Sequence, residues 1–369
     1  MNLPPNFKHD LTVVSLKNCF ISQLRGVRPN DKGSYPGSVN FIGGIYDAMD
    51  RPHTGSLLKR GYGQIQEHEK NYTIDRSTVQ TITGKAVYGG IISNHYGHFL
   101  LETLSRAWYL IKSSEDIYFY RAGAKEKNGS NDGLMAWQKE ILSHLVIDID
   151  RFKIIDKPLI FEELIIPGFG YIIETFFAQE QAAALIQLGE KLTGNKTPAL
   201  KYDKVWLSRS LQKKGAIAGE KKFEQALHNE GFTIVHPEKL SLTEQIGLFE
   251  NASVVAGFTG SAFHTLIFAK NKGVKLLHFS RVKRFNENFS LCSKANGFES
   301  EFYNFFLRFG GEIKGANANV LQDLNAIWNV LFDQGLVKTK GYSDPELTKD
   351  LEILDSALKN RAPRLFKAS

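Results

Sequence analysis

Three apolar runs recur at nearly equal spacing in the second half of the chain and limit the folds that it can adopt. TIVHP begins at Thr233, SVVAG at Ser253 and VKLLHF at Val274, so the intervals are 20 and 21 residues. Each interval holds one buried strand and one crossover helix, and helical patterns fill the segments between the runs. The spacing predicts a βαβαβ unit with a parallel sheet from Thr233 to Phe279, with right-handed crossovers.

The length of the chain favours two packed domains. The chain has 369 residues, and a domain commonly holds about 150 residues. A helical pattern stopped by Gly194 and Pro198 marks the predicted join. We expect an α/β protein with a first domain at 1–194, a second at 195–335 and a helical C-terminal extension at 336–369. Hydrophobic residues at 42% and charged residues at 23% exclude a disordered or fibrous chain.

Charge and cysteine content narrow the function classes. Lys and Arg number 46 against 39 Asp and Glu, a net charge of +7 that suits anionic ligands. The chain lacks the basic stripe with interleaved aromatic residues of a nucleic-acid binder and the G-x-G-x-x-G motif of a Rossmann oxidoreductase. Cys19 and Cys292 have no partner at metal-binding spacing and predict no disulfide framework. With no export signal and no apolar run of about 18 residues, we expect a cytoplasmic protein, soluble or peripheral on the membrane.

The first candidate site is the segment AVYGGIISNHYGHFLLETLSRAWYLI, whose pattern predicts a strand, a turn and a helix. At 100° per residue its polar side chains share an arc of about 100°, while apolar side chains on the other face anchor the helix. The polar group is His95, His98, Glu102, Ser105, Arg106 and Tyr109. Glu102 lies one turn from both His98 and Arg106, so it could orient the imidazole while pairing with the guanidinium. A solvated helix face with one ion pair explains this segment equally well.

A second candidate segment, VWLSRS, is a strand that ends in Ser208, Arg209 and Ser210, with Lys213 close behind. A guanidinium just past the end of a strand suits bidentate contact with a phosphate. The alternative is a turn with solvated charges.

The third segment, AGFTGSAFH, lies between a buried strand and an apolar helix. Backbone N–H groups from Gly260 onward would project from the helix N-terminus toward a phosphate, and the hydroxyl groups of Thr259 and Ser261 could donate as well. His264 follows one turn later. Many strand–helix connections need glycine for packing alone, so the turn by itself is a weak signal.

A fourth segment, HPEKLSLTEQIGLF, combines a structural signal with a candidate ligand group. Ser241 and Glu244 have the spacing of a capping box and predict a helix start. Glu238 follows a predicted strand, where a carboxylate is well placed to bind ribose hydroxyl groups.

Together these segments resemble glycosyltransferase family 61. HYGHFLLETLSRAW is followed about a hundred residues later by VWLSRS and then by IVHPEKLSLTEQIGLFENASVVAGFTGSAFHTLIFA, an ordered set that spans residues 85–280. The resemblance implies a GT-B type architecture, two Rossmann-like domains facing across a cleft, with the acceptor on the first domain and a nucleotide sugar on the second. It implies inverting transfer to a hydroxyl of a glycan or lipid-linked acceptor, and bacterial members are often tied to capsule or lipopolysaccharide assembly.

The resemblance also assigns the donor side. By position, Arg209 would meet the donor phosphates, and the turn at Gly260 and Ser261 would lie beneath them. Many relatives carry a histidine where this chain has Thr259. That departure leaves two alternatives: His264 substitutes for it, or the chain is a catalytically inactive nucleotide-sugar-binding protein.

On the acceptor side the resemblance indicates His98 and Glu102. Inverting transfer needs a base for the acceptor proton and neutralisation of the leaving diphosphate. We expect His98 to be the base, since an imidazole is readily poised near neutral pH, with Glu102 as the alternative. His95 and Arg106 are expected to support the acceptor side or the structure around it.

No metal or cofactor is expected besides the donor, for which we expect a UDP-sugar, although the sequence does not choose between uracil, guanine and cytosine. The only Asp-x-Asp, Asp148 and Asp150, is far in sequence from the donor motifs, so Arg209, Lys213 and helix N-termini are expected to replace a metal ion. The expected partners are a nucleotide sugar and a glycan or lipid-linked acceptor, and no nucleic acid. A basic C-terminal tail is either a frayed end or a peripheral membrane contact. Its basic residues are Lys359, Arg361, Arg364 and Lys367.

Overall fold

The fold is that of a computed structural model of the whole chain. The structure describes residues 11–61, 63–73, 75–121, 133–146, 148–194, 202–212, 215–310 and 319–345, without the side chains of 308–310 and 319. The chain forms two compact units, Met1–Asn195 and Lys196–Ser369. Lys213, most of the predicted extension at 336–369 and the whole basic tail lie outside the described residues.

The first unit is built mainly from strands. They are β1 (Val13–Ile21), β2 (Arg25–Gly26), β3 (Phe41–Ile42), β4 (Ile45–Tyr46), β5 (Lys59–Arg60), β6 (Gly63–Gln64), β7 (Gln66–Glu67), β8 (Thr81–Ile92), β9 (Asp116–Arg121), β10 (Phe152–Ile155), β11 (Leu159–Pro167), β12 (Tyr171–Ile172) and β13 (Phe176–Phe177). The α-helices are α1 (Tyr96–Leu101), α2 (Ala107–Leu110), α3 (Ala136–Leu145) and α4 (Gln179–Thr193). Short 3₁₀ helices cover Pro29–Asp31, Thr54–Ser56, Arg76–Thr78, Thr103–Arg106 and Ile149–Arg151.

The main sheet of the first unit is mixed, with the strand order β10-β9-β8-β11-β1-β4. β8, β9, β10 and β11 are parallel, whereas β1 runs antiparallel to β11 and β4 antiparallel to β1. The β1–β11 pair extends from Val13↔Pro167 to Ile21↔Leu159, so the side of the sheet that holds β1 and β4 is antiparallel. Because β8 is parallel to both neighbours, the turn that follows it lies at the carboxyl edge of the parallel part.

The helix predicted after β8 is interrupted. α1 ends at Leu101, a 3₁₀ turn covers Thr103–Arg106, and α2 follows. The hydroxyl of Thr103 donates to Ile91 O over 2.9 Å and accepts from Ser93 N over 3.0 Å. These bonds tie the 3₁₀ turn to the end of β8. By contrast, the predicted helix that ends before Gly194 is confirmed as α4, and Gly194 adopts the left-handed conformation of a C-cap (φ 59°).

The second unit contains a parallel sheet covered by helices. Its strands are β14 (Tyr202–Leu207), β15 (Phe232–Val235), β16 (Ala252–Phe258), β17 (Lys275–Phe279), β18 (Glu299–Tyr303), β19 (Phe306–Gly310) and β20 (Asn319–Gln322). Its α-helices are α5 (Glu220–Asn229), α6 (Leu242–Asn251), α7 (Asn288–Ala295) and α8 (Leu324–Asp333), and 3₁₀ helices cover Pro237–Lys239 and Ser261–Phe268.

The strand order of this sheet is β15-β14-β16-β17-β18, and every neighbouring pair is parallel. Counted within the unit, the order is 2-1-3-4-5, a common doubly wound arrangement. The βαβαβ prediction is confirmed as β15-α6-β16 and β17, although the second crossover is the 3₁₀ helix Ser261–Phe268 rather than an α-helix. The chain is therefore a mixed α/β protein, as predicted.

Aromatic side chains hold the carboxyl ends of the central strands together. Trp206 of β14 is fully buried, and its ring centroid lies 5.5 Å from Phe223, 5.4 Å from Phe258 and 5.8 Å from Phe279. Phe258 is the last residue of β16, and Phe279 is the last residue of β17. Closely packed aromatic rings resist displacement, so the polar residues that follow these strands start from fixed positions.

Candidate functional site

Polar segments follow three adjacent strands at the carboxyl edge of the second unit's sheet. β14, β16 and β17 are neighbours in that sheet. The pairs that follow them are Ser208–Arg209, Thr259–Gly260 and Ser280–Arg281. The strand order reverses between β14 and β16, because β15 lies on one side of β14 and β16 lies on the other. Ligands of open α/β sheets bind outside the carboxyl ends of the strands at such a switch point.

Gly260 lets the Arg209 guanidinium lie directly against the turn after β16. The backbone of Gly260 is extended, with φ −170° and ψ 169°, a conformation that any residue adopts. A Cβ atom at this position would nevertheless collide with Nη1 of Arg209. Glycine therefore leaves the space that the Arg209 guanidinium occupies.

Arg281 is a third component, which the sequence analysis missed. Its Nε donates to the carbonyl oxygen of Thr259, its backbone N–H donates to Thr259 Oγ1 over 3.3 Å, and its Nη1 donates to Gly215 O over 3.4 Å. A Cβ atom on Gly215 would collide with Nη1 of Arg281 and would lie 3.9 Å from Nη2 of Arg209. The two guanidinium groups thus approach the same glycine. The signal was present in the sequence, because Arg281 follows β17 in a Ser-Arg pair, as Arg209 follows β14.

The electrostatics of this cluster favour an anion. Burial lowers the pKa of Arg209, which the charges of Glu220 and Glu238 oppose, and burial together with the charge of Arg209 lowers the pKa of Arg281 to about 10. Both guanidinium groups stay charged at neutral pH. Burial raises the pKa of Glu220 to about 8; the backbone N–H of Arg209 opposes this shift, and the charge of Glu224 adds to it. Because of this raised pKa, Glu220 offsets less of the positive charge than an ordinary glutamate would.

The serines of the VWLSRS segment bond within the protein. Ser208 is 2% exposed, and its Oγ lies 3.0 Å from Ser210 Oγ. Ser210 Oγ donates to Glu224 Oε2 over 3.0 Å, and the backbone N–H of Arg209 donates to Glu220 Oε1 over 3.0 Å. These contacts with α5 shape the turn that carries Arg209, a structural role that the sequence pattern did not indicate.

The other predicted donor residues have varied surroundings. Glu238 is exposed in the 3₁₀ helix after β15 and is close enough for its charge to act on Arg209. Ser261 starts the 3₁₀ helix after β16 and is half-buried. His264 is 6% exposed, and its ring stacks on Phe289 with centroids 4.7 Å apart, which is the surrounding of a packed core histidine. The predicted capping box of Ser241 and Glu244 is confirmed at the start of α6.

In the first unit, a histidine, a carboxylate and an arginine form a connected group. Arg60 of β5 donates from Nε to Glu102 Oε1 over 2.5 Å and from Nη2 to Glu102 Oε2 over 2.8 Å. Nδ1 of His98 lies 2.9 Å from Glu102 Oε2, although the ring is not aligned for a linear hydrogen bond. The side chain of His98 is 36% exposed, whereas that of Glu102 is 5% exposed. The imidazole is thus accessible and the carboxylate behind it is buried.

Two opposing influences set the ionisation of Glu102. Burial raises the pKa of this carboxyl, but the adjacent His98 imidazole and the hydrogen bonds and charge of Arg60 outweigh burial, and the net pKa lies below the ordinary value. Glu102 is therefore a carboxylate at neutral pH. A carboxylate held by a bidentate guanidinium is a weak base and a good acceptor for an imidazole N–H.

Arg106 does not form the predicted pair with Glu102. It is 2% exposed, its Nε donates to Pro167 O over 2.8 Å, and its guanidinium lies 4.0 Å from the ring centroid of Phe169. Gly90, with φ +109°, makes room for it, because a Cβ there would lie 2.8 Å from Nη1. The interruption of the helix after α1 explains the difference, since a continuous helix would have kept both side chains on one face. Arg106 supports the structure beneath the site.

His95 stays at the accessible end of the group. It is the exposed N-cap residue of α1, and its ring centroid lies 5.1 Å from that of His98. The two histidines are therefore neighbours at the carboxyl edge of β8.

The described residues lack the side-chain clusters that bind metal ions and the helices that cross membranes. There, no group of three or more His, Cys, Asp and Glu side chains could hold a metal ion. Asp148 and Asp150 are exposed, and Asp148 Oδ1 accepts from Asp150 N over 2.9 Å as the cap of a 3₁₀ turn. None of the helices in these residues is long and apolar enough to cross a membrane.

The chain is similar to a known protein family over a range that includes His98 and Arg209. Residues 96–276, nearly half of the chain, match the model of the family Glycosyltransferase 61. This range starts at α1 and extends into β17, so it includes His98, Glu102, Arg209 and Gly260 but neither Arg60 nor Arg281. A search of curated proteins finds no match. Over residues 96–276 the chain is similar to glycosyltransferase family 61.

Proposed function

We propose that the chain is an inverting glycosyltransferase that moves a sugar from a nucleotide sugar to a hydroxyl of a glycan or lipid-linked acceptor. The observation that carries the proposal is the position of Arg209 against Gly260 at the switch point of a parallel sheet. Departure of a nucleoside diphosphate concentrates negative charge on the phosphate oxygens, and a fixed guanidinium neutralises that charge. Glu238, whose charge reaches Arg209, is proposed to bind the ribose hydroxyl groups.

In the proposed reaction His98 is the general base. With Nδ1–H facing the Glu102 carboxylate, Nε2 carries the lone pair that takes the proton of the acceptor hydroxyl. The acceptor oxygen bonds to the anomeric carbon from the face opposite the diphosphate, and the bond between that carbon and the leaving phosphate oxygen breaks. Glu102 stabilises the imidazolium that forms, and Arg60 holds Glu102 in place.

The finer parts of the proposal follow from the family resemblance. We propose a GT-B type enzyme, metal-independent, that uses a UDP-sugar and works in the cytoplasm, or at the inner membrane face, in capsule or lipopolysaccharide assembly. Arg209, Lys213 and the turn at Gly260 and Ser261 would supply the positive charge that a metal ion supplies elsewhere. The accessibility of His98 and the burial of Glu102 support the choice of base.

A binding experiment tests the donor site. Thermal-shift titration with UDP, GDP and CDP, followed by their sugars, should raise the melting temperature with at least one of them, since a ligand of the native state stabilises it. Arg209→Gln should abolish the shift. The matched control is Lys272→Gln, which removes an exposed cation paired with Glu250 in the same unit. No shift with any nucleotide, or an unchanged shift in Arg209→Gln, would contradict the proposal.

A kinetic experiment tests the base. Release of nucleoside diphosphate from the donor that binds is followed with water or a glycan as acceptor. His98→Ala should lower kcat by about 100-fold, within the usual range for loss of a general base, and Glu102→Gln should lower it less. His144→Ala on α3 is the control. If His98→Ala keeps most of its kcat while Glu102→Gln loses it, the roles must be exchanged; binding without any turnover in the wild type would favour the inactive nucleotide-sugar-binding alternative.

A further inference from the structure

We propose that Arg281 is a second phosphate-binding group and that, together with Arg209, it makes the donor site specific for a diphosphate rather than a monophosphate. This inference rests on the proposed donor site and names the class of ligand that the site takes. Arg281 lies beyond the residues that match the family, so its position in this chain carries the argument.

Arg281 and Arg209 both lie against the turn after β16. Arg281 is fixed to the turn after β16 by its Nε and backbone N–H, which both donate to Thr259, and Arg209 lies against the next residue, Gly260. Both guanidinium groups also reach Gly215, whose positive φ of 64° and lack of a side chain leave room for them. Two guanidinium groups therefore flank one turn at the carboxyl edge of the sheet.

The charges of Arg209 and Arg281 act on each other. Arg209 and Arg281 are both half-buried, and the charge of Arg209 contributes to the lowered pKa of Arg281, as expected for two guanidinium groups that repel each other. Among the described residues, the partners of the Arg281 side chain are carbonyl oxygens of Thr259 and Gly215, which carry no formal charge. Burial raises the pKa of Glu220 to about 8, so this carboxyl offsets only part of the positive charge. An anion with more than one negative charge would relieve this repulsion.

The geometry of two guanidinium groups suits a ligand with two linked phosphates. A guanidinium offers two parallel N–H groups to one phosphate, so two guanidinium groups match two linked phosphates. The contacts of Arg281 with the protein use Nε and Nη1, which leaves Nη2 for a ligand. A monophosphate would engage one guanidinium well and leave the repulsion between the two only partly screened.

Calorimetric titration of the full chain tests this inference without knowledge of the base or sugar. Inorganic pyrophosphate and inorganic phosphate are the first probes, and UDP and UMP are the second pair. The wild type should bind pyrophosphate at least about 10-fold more tightly than phosphate, which corresponds to one charge-assisted contact. Arg281→Gln should lose about 10-fold in pyrophosphate affinity and little in phosphate affinity. Arg281→Lys, which keeps the charge but not the fork, should also reduce the ratio.

The matched control is Lys283→Gln, which removes an exposed cation two residues away and should change neither affinity by more than about 2-fold. Circular dichroism checks that each variant is folded. If Arg281→Gln does not fold, the ratio of pyrophosphate to phosphate affinity in Arg281→Lys tests the inference. A wild-type preference for pyrophosphate that persists in the folded Arg281 variants would overturn this inference and leave the donor site intact. Failure of the wild type to bind pyrophosphate or UDP would overturn the donor site as well.

Discussion

Substitution of Gly260 by alanine separates ligand binding from stability. The extended backbone of Gly260 accepts a side chain without strain, so the added methyl group meets one obstacle, Nη1 of Arg209. Overpacking against rigid neighbours costs about 1–3 kcal/mol. Here the obstacle is the tip of a flexible side chain that can move aside, so we expect the free energy of unfolding to change by less than about 1 kcal/mol.

The displaced guanidinium should bind phosphate poorly. Hydrogen bonds to a charged group contribute about 1.5–3 kcal/mol, which predicts a loss of about 10-fold to 100-fold in affinity for pyrophosphate. Calorimetry measures the affinity, and urea denaturation measures the stability. Gly37→Ala is the control, because no atom lies within 4 Å of the position of its Cβ. Unchanged pyrophosphate affinity in a folded Gly260→Ala variant would refute the assignment of Arg209 to the phosphates.

Three further predictions concern pH, the support of the base and the absence of a metal. The raised pKa of Glu220, about 8, means that its contribution to stability is complete below about pH 4.5 and is lost as the pH rises through 8. Urea denaturation from pH 6 to 9 should show a fall in the free energy of unfolding that is smaller in Glu220→Gln than in the wild type. Equal dependence of this free energy on pH in the two proteins would contradict this. Arg60→Gln should lower donor hydrolysis about 10-fold, because Glu102 loses two hydrogen bonds and no longer holds the imidazole; a wild-type rate would show that the pair is dispensable. Turnover should persist in EDTA, and complete loss restored by manganese would mean that a metal ion neutralises the leaving group.

Local patterns predicted the second unit well. The spacing of the apolar runs predicted parallel strands, and the Ser-x-x-Glu pattern predicted the start of α6 at Ser241. Both rest on interactions between residues that are close in sequence or on the period of burial along one element. The contact between Arg209 and Gly260 was not predicted, because it depends on β14 lying beside β16, which the sequence pattern did not indicate.

The contacts that sequence periodicity missed join residues that are distant in the chain. Arg60 and Glu102 are 42 residues apart, and nothing in either local pattern indicates that β5 reaches α1. The helical pattern placed Arg106 with the polar side chains because it assumes a continuous helix, whereas the 3₁₀ turn after α1 directs the guanidinium toward Pro167. Arg281 was missed although its Ser-Arg pair follows a strand, because that turn contains no glycine to indicate a close approach between the backbone and a ligand.

The central claim is that the carboxyl edge of β14 and β16 binds the diphosphate of a sugar donor. A crystal structure of the chain soaked with UDP tests it most directly. We predict diphosphate oxygens at about 3 Å from the Arg209 guanidinium, above the turn that begins at Gly260. Diphosphate bound elsewhere on the chain, with Arg209 making no contact to it, would contradict the claim.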